Sequence, residues 1–317
     1  MHAVTIVEGQ LRWNEHSDPE PGTGEVLVAV RAAGLNGADM MQRRGLYPAP
    51  PGSPAAIPGL EMAGEVIATG PGCERLETGD RVMAVVGGGG QAERCVVHER
   101  AALRVPESLS WPEAGGFPEV FTTAHDALFT QCELAPGESL LVHGAAGGVG
   151  IAAVQLGAQV GARVVASVRN EKLHDGVRGI GSACGDVEVV APDDAFARAP
   201  FDVILELVGA PNVPGNMNAL ATGGRVSVIG IGAGAKAELD LLALMSKRAS
   251  VRGSTLRARP LEQKIDAARR VETQVVPLLA RGVVRVPVDR TFPFSEAEAA
   301  YDYFAAGGKL GKLVLLR

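Results

Sequence analysis

Short apolar runs broken by glycine and proline dominate the first third of the chain. Val26-Leu27-Val28-Ala29-Val30 follows the turn Pro21-Gly22-Thr23-Gly24. Glu65-Val66-Ile67-Ala68-Thr69 precedes Gly70-Pro71-Gly72, and Arg81-Val82-Met83-Ala84-Val85-Val86 follows Gly79-Asp80. Runs bounded in this way predict strands of a compact barrel-like domain rather than βαβ units. Gly87–Gly90 reads as a flexible hairpin or loop. The pattern changes near residue 110, where Ser110-Trp111-Pro112-Glu113 has capping-box spacing and predicts a helix start. After Gly137, strand candidates at 139–143, 163–168, 187–190, 202–208 and 225–230 alternate with helical or loop segments. Such alternation predicts a parallel sheet with helices on both faces. A mostly helical pattern runs from Leu261 to Leu279. The tail adds a short strand-like piece, a Glu/Ala-rich helix from Ser295 to about Ala306 and the strand Lys312–Leu316. It has no glycine fingerprint of its own and is assigned back to the first domain. The expected organisation is 1–122 and 258–317 in one domain, with 123–257 inserted as a cofactor domain.

The sharpest local signal is Ser139-Leu140-Leu141-Val142-His143-Gly144-Ala145-Ala146-Gly147-Gly148-Val149-Gly150, followed by the helical pattern Ile151–Leu156. An apolar strand ends in a glycine-dense turn, and a helix opens from that turn. Gly144 permits the sharp turn, Gly147 lets backbone approach a pyrophosphate, and Gly150 lets helix pack close to strand. The helix N-terminus then offers N–H groups and partial positive charge to phosphate. A glycine pattern can also be a plain turn, but here both flanks have the required character. The segment Gly144, Ala145, Ala146, Gly147, Gly148, Val149 is therefore read as a dinucleotide-binding loop.

Composition narrows the classes further. The chain has 317 residues, 46% of them hydrophobic and 21% charged, with a net charge of −6. This fits a globular protein of about two domains. An acidic balance with no long basic run argues against nucleic acid or an anionic membrane as a partner. The four cysteines, Cys73, Cys95, Cys132 and Cys184, are scattered. They form neither a metal-binding pair nor a disulfide framework, which suits a reducing cytoplasm. The N-terminus lacks an apolar signal core, and no apolar stretch is long enough to span a bilayer.

Further motifs flank the glycine loop. Pro21–Val28, Ala33-Gly34-Leu35-Asn36-Gly37-Ala38-Asp39, Pro58-Gly59-Leu60-Glu61-Met62-Ala63-Gly64 and Gly79–Val82 precede it. Gly224-Arg225-Val226, Gly253-Ser254-Thr255-Leu256-Arg257 and Gly311-Lys312-Leu313-Val314 follow it. With these motifs the whole chain resembles the medium-chain dehydrogenase/reductase superfamily, and within it the zinc-free quinone oxidoreductases. Arg43–Pro48 and Phe117-Pro118-Glu119 resemble the tumour-suppressor-inducible quinone reductase branch. The resemblance implies an α/β protein: a GroES-like, partly open β-barrel catalytic domain plus a Rossmann domain with a doubly wound parallel sheet. It also implies hydride transfer from nicotinamide C4 to a quinone in the cleft between the domains.

Zinc-dependent members carry a ligand cysteine where this chain has Asn36 and a ligand histidine where it has Leu60. Leucine cannot coordinate zinc, and an amide is a poor substitute for thiolate, so no metal is expected. A metal-free hydride donor suits an electron-poor acceptor, a quinone or an activated alkene, better than alcohol oxidation.

An NAD site usually carries an acidic residue about 20 positions past the first glycine. Here the region offers Ser167, Arg169 and Lys172, which suit the 2′-phosphate of NADPH. Arg169 and Lys172 also read as ordinary solvated charges, and Glu171 dilutes the signal. By resemblance, Thr123, Gly230, Ile231, Ser254 and Thr255 border the nicotinamide. Thr123 equally fits a helix threonine bonded to its own backbone. Asn36 and Tyr47 are the substrate candidates, the first as a donor to a quinone oxygen, the second as a ring and hydroxyl wall. Tyr47 reads as readily as packing in its proline-rich loop. Glu61 and Glu119 are assigned structural or supporting roles, and His143 and His125 packing roles. An enoyl or alkenal reductase on the same fold is the alternative. A cofactor-binding structural or RNA-binding crystallin-like protein is the alternative of another class. The β-compatible run Ser250–Thr255 at the sheet edge predicts a homodimer.

Overall fold

A computed structural model describes residues 1–317. The chain divides into two compact units, Met1–Thr122 with Leu256–Arg317, and Thr123–Thr255. Leu256 and Arg257 group with the first unit, where Arg257 hydrogen-bonds to Gly87, Tyr47 and Gln42. No helix is long and apolar enough to cross a membrane.

The first unit opens with the antiparallel pair β1 (His2–Val7) and β2 (Gln10–Glu15). It continues through β3 (Glu25–Gly34), β4 (Glu61–Thr69), β5 (Arg81–Val85), β6 (Arg94–His98) and β7 (Leu103–Arg104). Helix α1 (Gly37–Arg43) leaves the end of β3. Helix α2 (Trp111–Gly116) begins at Ser110, whose N–H donates to Glu113 Oε2 at 3.0 Å. This is the reciprocal cap that the sequence spacing predicts. Helix α3 (Pro118–His125) carries the chain to the second unit.

There the elements are β8 (Ser139–His143), α4 (Gly148–Gln159), β9 (Arg163–Ser167), β10 (Val187–Val190), β11 (Phe201–Glu206), β12 (Leu220–Val228) and β13 (Ser250–Gly253). All ladders are parallel, in the order β10-β9-β8-β11-β12-β13. Every residue of β8 is buried, as a central parallel strand covered on both faces requires. The strand order reverses between β8 and β11, and ligands of doubly wound sheets bind outside the carboxyl ends of strands at such a point.

The return to the first unit adds β14 (Val288–Pro293) and β15 (Lys312–Leu316). They complete a seven-stranded sheet in the order β14-β15-β3-β4-β5-β7, with β6 paired to β3. Val28, Val30, Met62, Val82, Tyr301 and Leu313 are among the buried residues of its core. The core of the second unit gathers Leu141, Val165, Phe201, Ile204 and Met217.

Three expectations are corrected in detail. Gly87–Gly90 is a loop, as one of the two readings has it, but a packed one: Gly88, Gly89 and Gly90 are buried. A Cβ on Gly90 would stand 2.6 Å from the Glu61 carbonyl oxygen, so close backbone contact, not mobility, calls for glycine. The expected helix 261–279 is two helices, Leu261–Gln274 and Val276–Ala280, with Pro277 in the first turn of the second. Proline lacks the N–H that would continue the first helix. Strand β11 stops at Glu206 rather than 208, because the Val208 and Gly209 N–H groups turn to the Glu206 carboxylate at 2.7 and 2.8 Å.

Candidate active site

The glycine loop lies between β8 and α4. Gly144 has φ +66°, in the left-handed region that favours glycine. A Cβ on Gly150 would come within 2.5 Å of the Gly144 carbonyl oxygen and 2.6 Å of Ala145 Cα. The third glycine therefore allows the twelve-residue helix α4 to seat directly on the turn. At Gly147 a Cβ would meet only the Gly144 oxygen, at 3.6 Å, so packing alone does not require glycine there. The room left there would admit an approaching phosphate. The N-terminus of a helix also carries N–H groups without intrahelical partners and a partial positive charge, which suit an anion.

The structure brings Ser167 to this loop. The Ala145 N–H donates to the Ser167 carbonyl oxygen at 3.1 Å, and His143 pairs with Ser167 in the β8–β9 ladder. Beyond Ser167 the chain turns sharply. Asn170 Oδ1 accepts the Lys172 N–H at 3.2 Å, and His174 Nε2 lies 2.8 Å from the Val168 carbonyl oxygen. Arg169 and Lys172 are exposed on this turn. The arrangement suits the ribose end of a nicotinamide dinucleotide.

A second loop borders the same end of the sheet. The Glu206 carboxylate is fully buried and accepts from Val208, Gly209, Asn212 and Asn216. His143 Nε2 lies 2.8 Å from Asn216 Oδ1. Burial lowers the His143 pKa against the opposing pull of Glu206, which favours a neutral ring. The Ile229 and Gly230 N–H groups donate to the Glu206 carbonyl oxygen, both at 3.0 Å. A Cβ on Gly230 would lie 2.2 Å from the Leu207 oxygen, so only glycine fits. Ile231 is 41% exposed beside it. Ser254 Oγ lies 3.2 Å from Asp126 Oδ2, Thr255 is exposed, and Thr123 is buried in α3. Of the expected cofactor residues, Ser167 stands in direct contact with the glycine loop. Gly230 and Ile231 lie on the rim that Glu206 organises.

In the first unit, Asn36 sits where β3 passes into α1. Its N–H donates to Asp39 Oδ2 at 2.8 Å. Asn36 Nδ2 donates to Glu61 Oε1 at 2.8 Å, while Lys312 Nζ donates to Asn36 Oδ1 at 2.7 Å. Lys312 Nζ also donates to Glu61 Oε1 at 2.6 Å and to the Leu35 carbonyl oxygen at 2.8 Å. Glu61 Oε2 accepts the Glu119 N–H at 2.8 Å. Glu61 is 0% and Lys312 2% exposed. Asp39 is buried too, and burial lifts its carboxyl to about 6 although the Asn36 and Gly59 N–H groups pull it down.

Tyr47 lies in the loop after α1. Arg257 stands over its ring at 5.3 Å and donates to its carbonyl oxygen at 3.0 Å. Burial raises the Tyr47 hydroxyl above its ordinary range. Sequence reasoning singled out neither Lys312 nor Arg257. Each is a cation that reads as ordinary surface charge until the fold buries it.

Zinc does not suit this set. Leu60 is apolar and buried, Glu61 uses both oxygens on fixed partners, and a lysine ammonium already lies between Asn36 and Glu61. No group of three or more His, Cys, Asp or Glu side chains could hold a metal ion.

Residues 22–133 match the alcohol dehydrogenase GroES-like domain, and residues 185–315 match the zinc-binding dehydrogenase family. The chain is 33% identical to the quinone oxidoreductase of Thermus thermophilus, solved with its NADPH complex, with a TM-score of 0.86 and full coverage of both chains. It is 29% identical to the quinone oxidoreductase of Lama guanicoe, covering 94% of this chain and 90% of that one. It is also 34% identical to a segment of the pikromycin polyketide synthase component PikAII of Streptomyces venezuelae. That match covers 94% of this chain but only 8% of the synthase.

Proposed function

Because the chain belongs to the quinone oxidoreductases of the medium-chain dehydrogenase/reductase superfamily, an oxidoreductase family, we propose that it reduces quinones with NADPH and without zinc. The observation that carries this reading is the Asn36–Glu61–Lys312 cluster, which puts a fixed ammonium and an oriented amide where a metal site has no ligands. Bound reduced nicotinamide supplies a hydride, and the glycine loop with Ser167, Arg169 and Lys172 is the part of this chain suited to hold the cofactor. Thr123, Gly230, Ile231, Ser254 and Thr255 take the remaining cofactor contacts in this reading.

Asn36 faces the quinone oxygen on which negative charge grows, and Tyr47 forms a wall for the flat ring. The second Asn36 amide hydrogen is the one suited to substrate, because its contact to the Gly34 carbonyl oxygen is long, at 3.5 Å. Two electrons and one hydrogen reach the quinone as hydride, and water protonates the resulting hydroquinone anion. The protein works in the cytoplasm as a homodimer in this proposal.

The match to a polyketide synthase segment favours one second reading, reduction of an activated C=C bond. That reaction needs a proton delivered to carbon as well as a hydride. A panel of ortho-quinones, para-quinones and enones, assayed with NADPH and NADH, separates the readings. Quinone turnover with NADPH is expected. Turnover restricted to enones would replace the first reading with the second.

A further inference from the structure

The Asn36 amide cannot turn over in its site. Its oxygen receives the Lys312 ammonium at 2.7 Å, and its nitrogen faces Glu61 Oε1 at 2.8 Å. A flipped amide would set N–H against ammonium and oxygen against carboxylate, two like-signed contacts in a buried place. The three hydrogens of Lys312 are all engaged, on Leu35 O, Asn36 Oδ1 and Glu61 Oε1. The charge therefore cannot swing away to solvent. Its one carboxylate partner, Glu61, is itself shared with Asn36 Nδ2 and the Glu119 N–H.

A cation on an amide oxygen draws electron density from the amide nitrogen. In a low-dielectric interior, linked hydrogen bonds polarise one another in this way. We infer that Lys312 is a positioning residue for the reaction, fixing the Asn36 amide and polarising it so that its second N–H, held only by the long 3.5 Å contact to the Gly34 carbonyl oxygen, becomes a strong donor to an oxygen that turns anionic. The step served is the one given above: hydride bonds to one carbonyl oxygen of the quinone, the ring π electrons shift as the ring becomes aromatic, the π pair of the other carbonyl moves to its own oxygen, and water later protonates that oxygen to complete the hydroquinone. Lys312 neither touches the substrate nor gives up a proton. It supplies through an amide part of what a Lewis acid supplies directly.

This inference rests on the quinone-reduction reading, and its test keeps the two apart. Lys312→Met combined with Glu61→Gln replaces the buried pair by neutral groups of similar size, which buried pairs often tolerate. Lys312→Gln is the companion variant, keeping donated hydrogen bonds while losing the charge. Thermal unfolding and NADPH affinity are measured first as controls on folding and on the cofactor unit. With both near wild type, kcat for quinones should fall about tenfold or more, since removing a full oxyanion donor costs about a hundredfold or more. KM should change little. Asn36→Ala should show a comparable loss, and adding the Lys312 change to it should cost little more.

A second readout uses no turnover. 4-Nitrophenol bound to the wild-type protein should show a larger ionised fraction, by its visible absorbance, than when bound to Lys312→Gln. If Asn36→Ala impairs kcat but both Lys312 variants keep wild-type kcat and nitrophenol ionisation, the inference is overturned and the quinone reading stands. If Asn36→Ala changes nothing, the assignment of Asn36 to substrate fails and the inference fails with it.

Discussion

At the scale of single residues, charge and burial decide which side chains matter. Arg169 is exposed on the turn after β9, two residues beyond Ser167. If it holds a 2′-phosphate, Arg169→Ala should weaken NADPH about tenfold or more, since one charge-assisted bond to phosphate is worth about 1.5–3 kcal/mol. NADH affinity should stay nearly unchanged, and equal losses for the two, measured by fluorescence titration, would mean that Arg169 acts through structure. Tyr47→Phe should cost little if the ring alone shapes the pocket, while Tyr47→Ala should raise KM for bulky quinones and leave NADPH affinity alone. Unchanged quinone kinetics in Tyr47→Ala would reduce the residue to loop packing.

Asp39 makes a thermodynamic prediction. Its folded pKa, about 6, lies above the ordinary value of 3.8. The stability it contributes is therefore fully present below about pH 4 and lost as pH rises through about 6. Relative to Asp39→Asn, the wild type should lose up to about 3 kcal/mol over that window in urea unfolding. A difference that stays constant with pH would contradict it.

The candidate residues of the first unit were partly legible at this scale. Asn36 and Leu60 were readable as an amide and an apolar side chain, neither of them a good zinc ligand, and the structure shows both of them buried. Lys312 was not legible, because its partner Asn36 is 276 positions away and only the pairing of β15 with β3 brings them together. Arg257 was hidden for the same reason, 210 positions from Tyr47.

At the scale of elements, the glycines of the loop differ in how far packing requires them. Gly150 is held by the fold, since a Cβ there would stand 2.5 Å from backbone. Gly150→Ala should therefore lower the midpoint of thermal unfolding as well as cofactor affinity. Gly147 has room, with its nearest contact at 3.6 Å. Gly147→Ala should unfold at the wild-type temperature within about 0.5 kcal/mol of stability yet bind NADPH more weakly, because the added methyl faces the ligand. A Gly147→Ala protein with unimpaired NADPH binding would remove the pyrophosphate from this loop.

The alternation after Gly137 was legible because the central strands carry buried apolar runs, Leu140–Val142 in β8 and Val164–Ala166 in β9. β8 and β10 keep the boundaries that the pattern gives, 139–143 and 187–190. The end of β11 was not, because a buried carboxylate, Glu206, captures the next N–H groups and stops the ladder. The packing of Gly87–Gly90 was equally invisible, since four glycines look the same whether they move freely or admit a neighbouring backbone.

At the scale of the whole molecule, the last strand of the sheet, β13, has a partner on one side only. Val251 on it is 41% exposed, and Leu241, Leu242 and Met245 of the preceding helix are 64%, 75% and 71% exposed. An open edge beside apolar side chains invites pairing. Light scattering at micromolar concentration should give the mass of a dimer, and Leu242→Asp should shift it toward monomer. A monomeric mass for the wild type would contradict the proposed assembly.

The central claim is that this chain reduces quinones with NADPH and no metal. The most direct test is kcat/KM for a para-quinone, with NADPH and with NADH, before and after exhaustive chelation. The account predicts turnover that chelation leaves unchanged and a preference for NADPH of about tenfold or more. Activity lost on chelation and restored by zinc, or equal use of both cofactors, would contradict it.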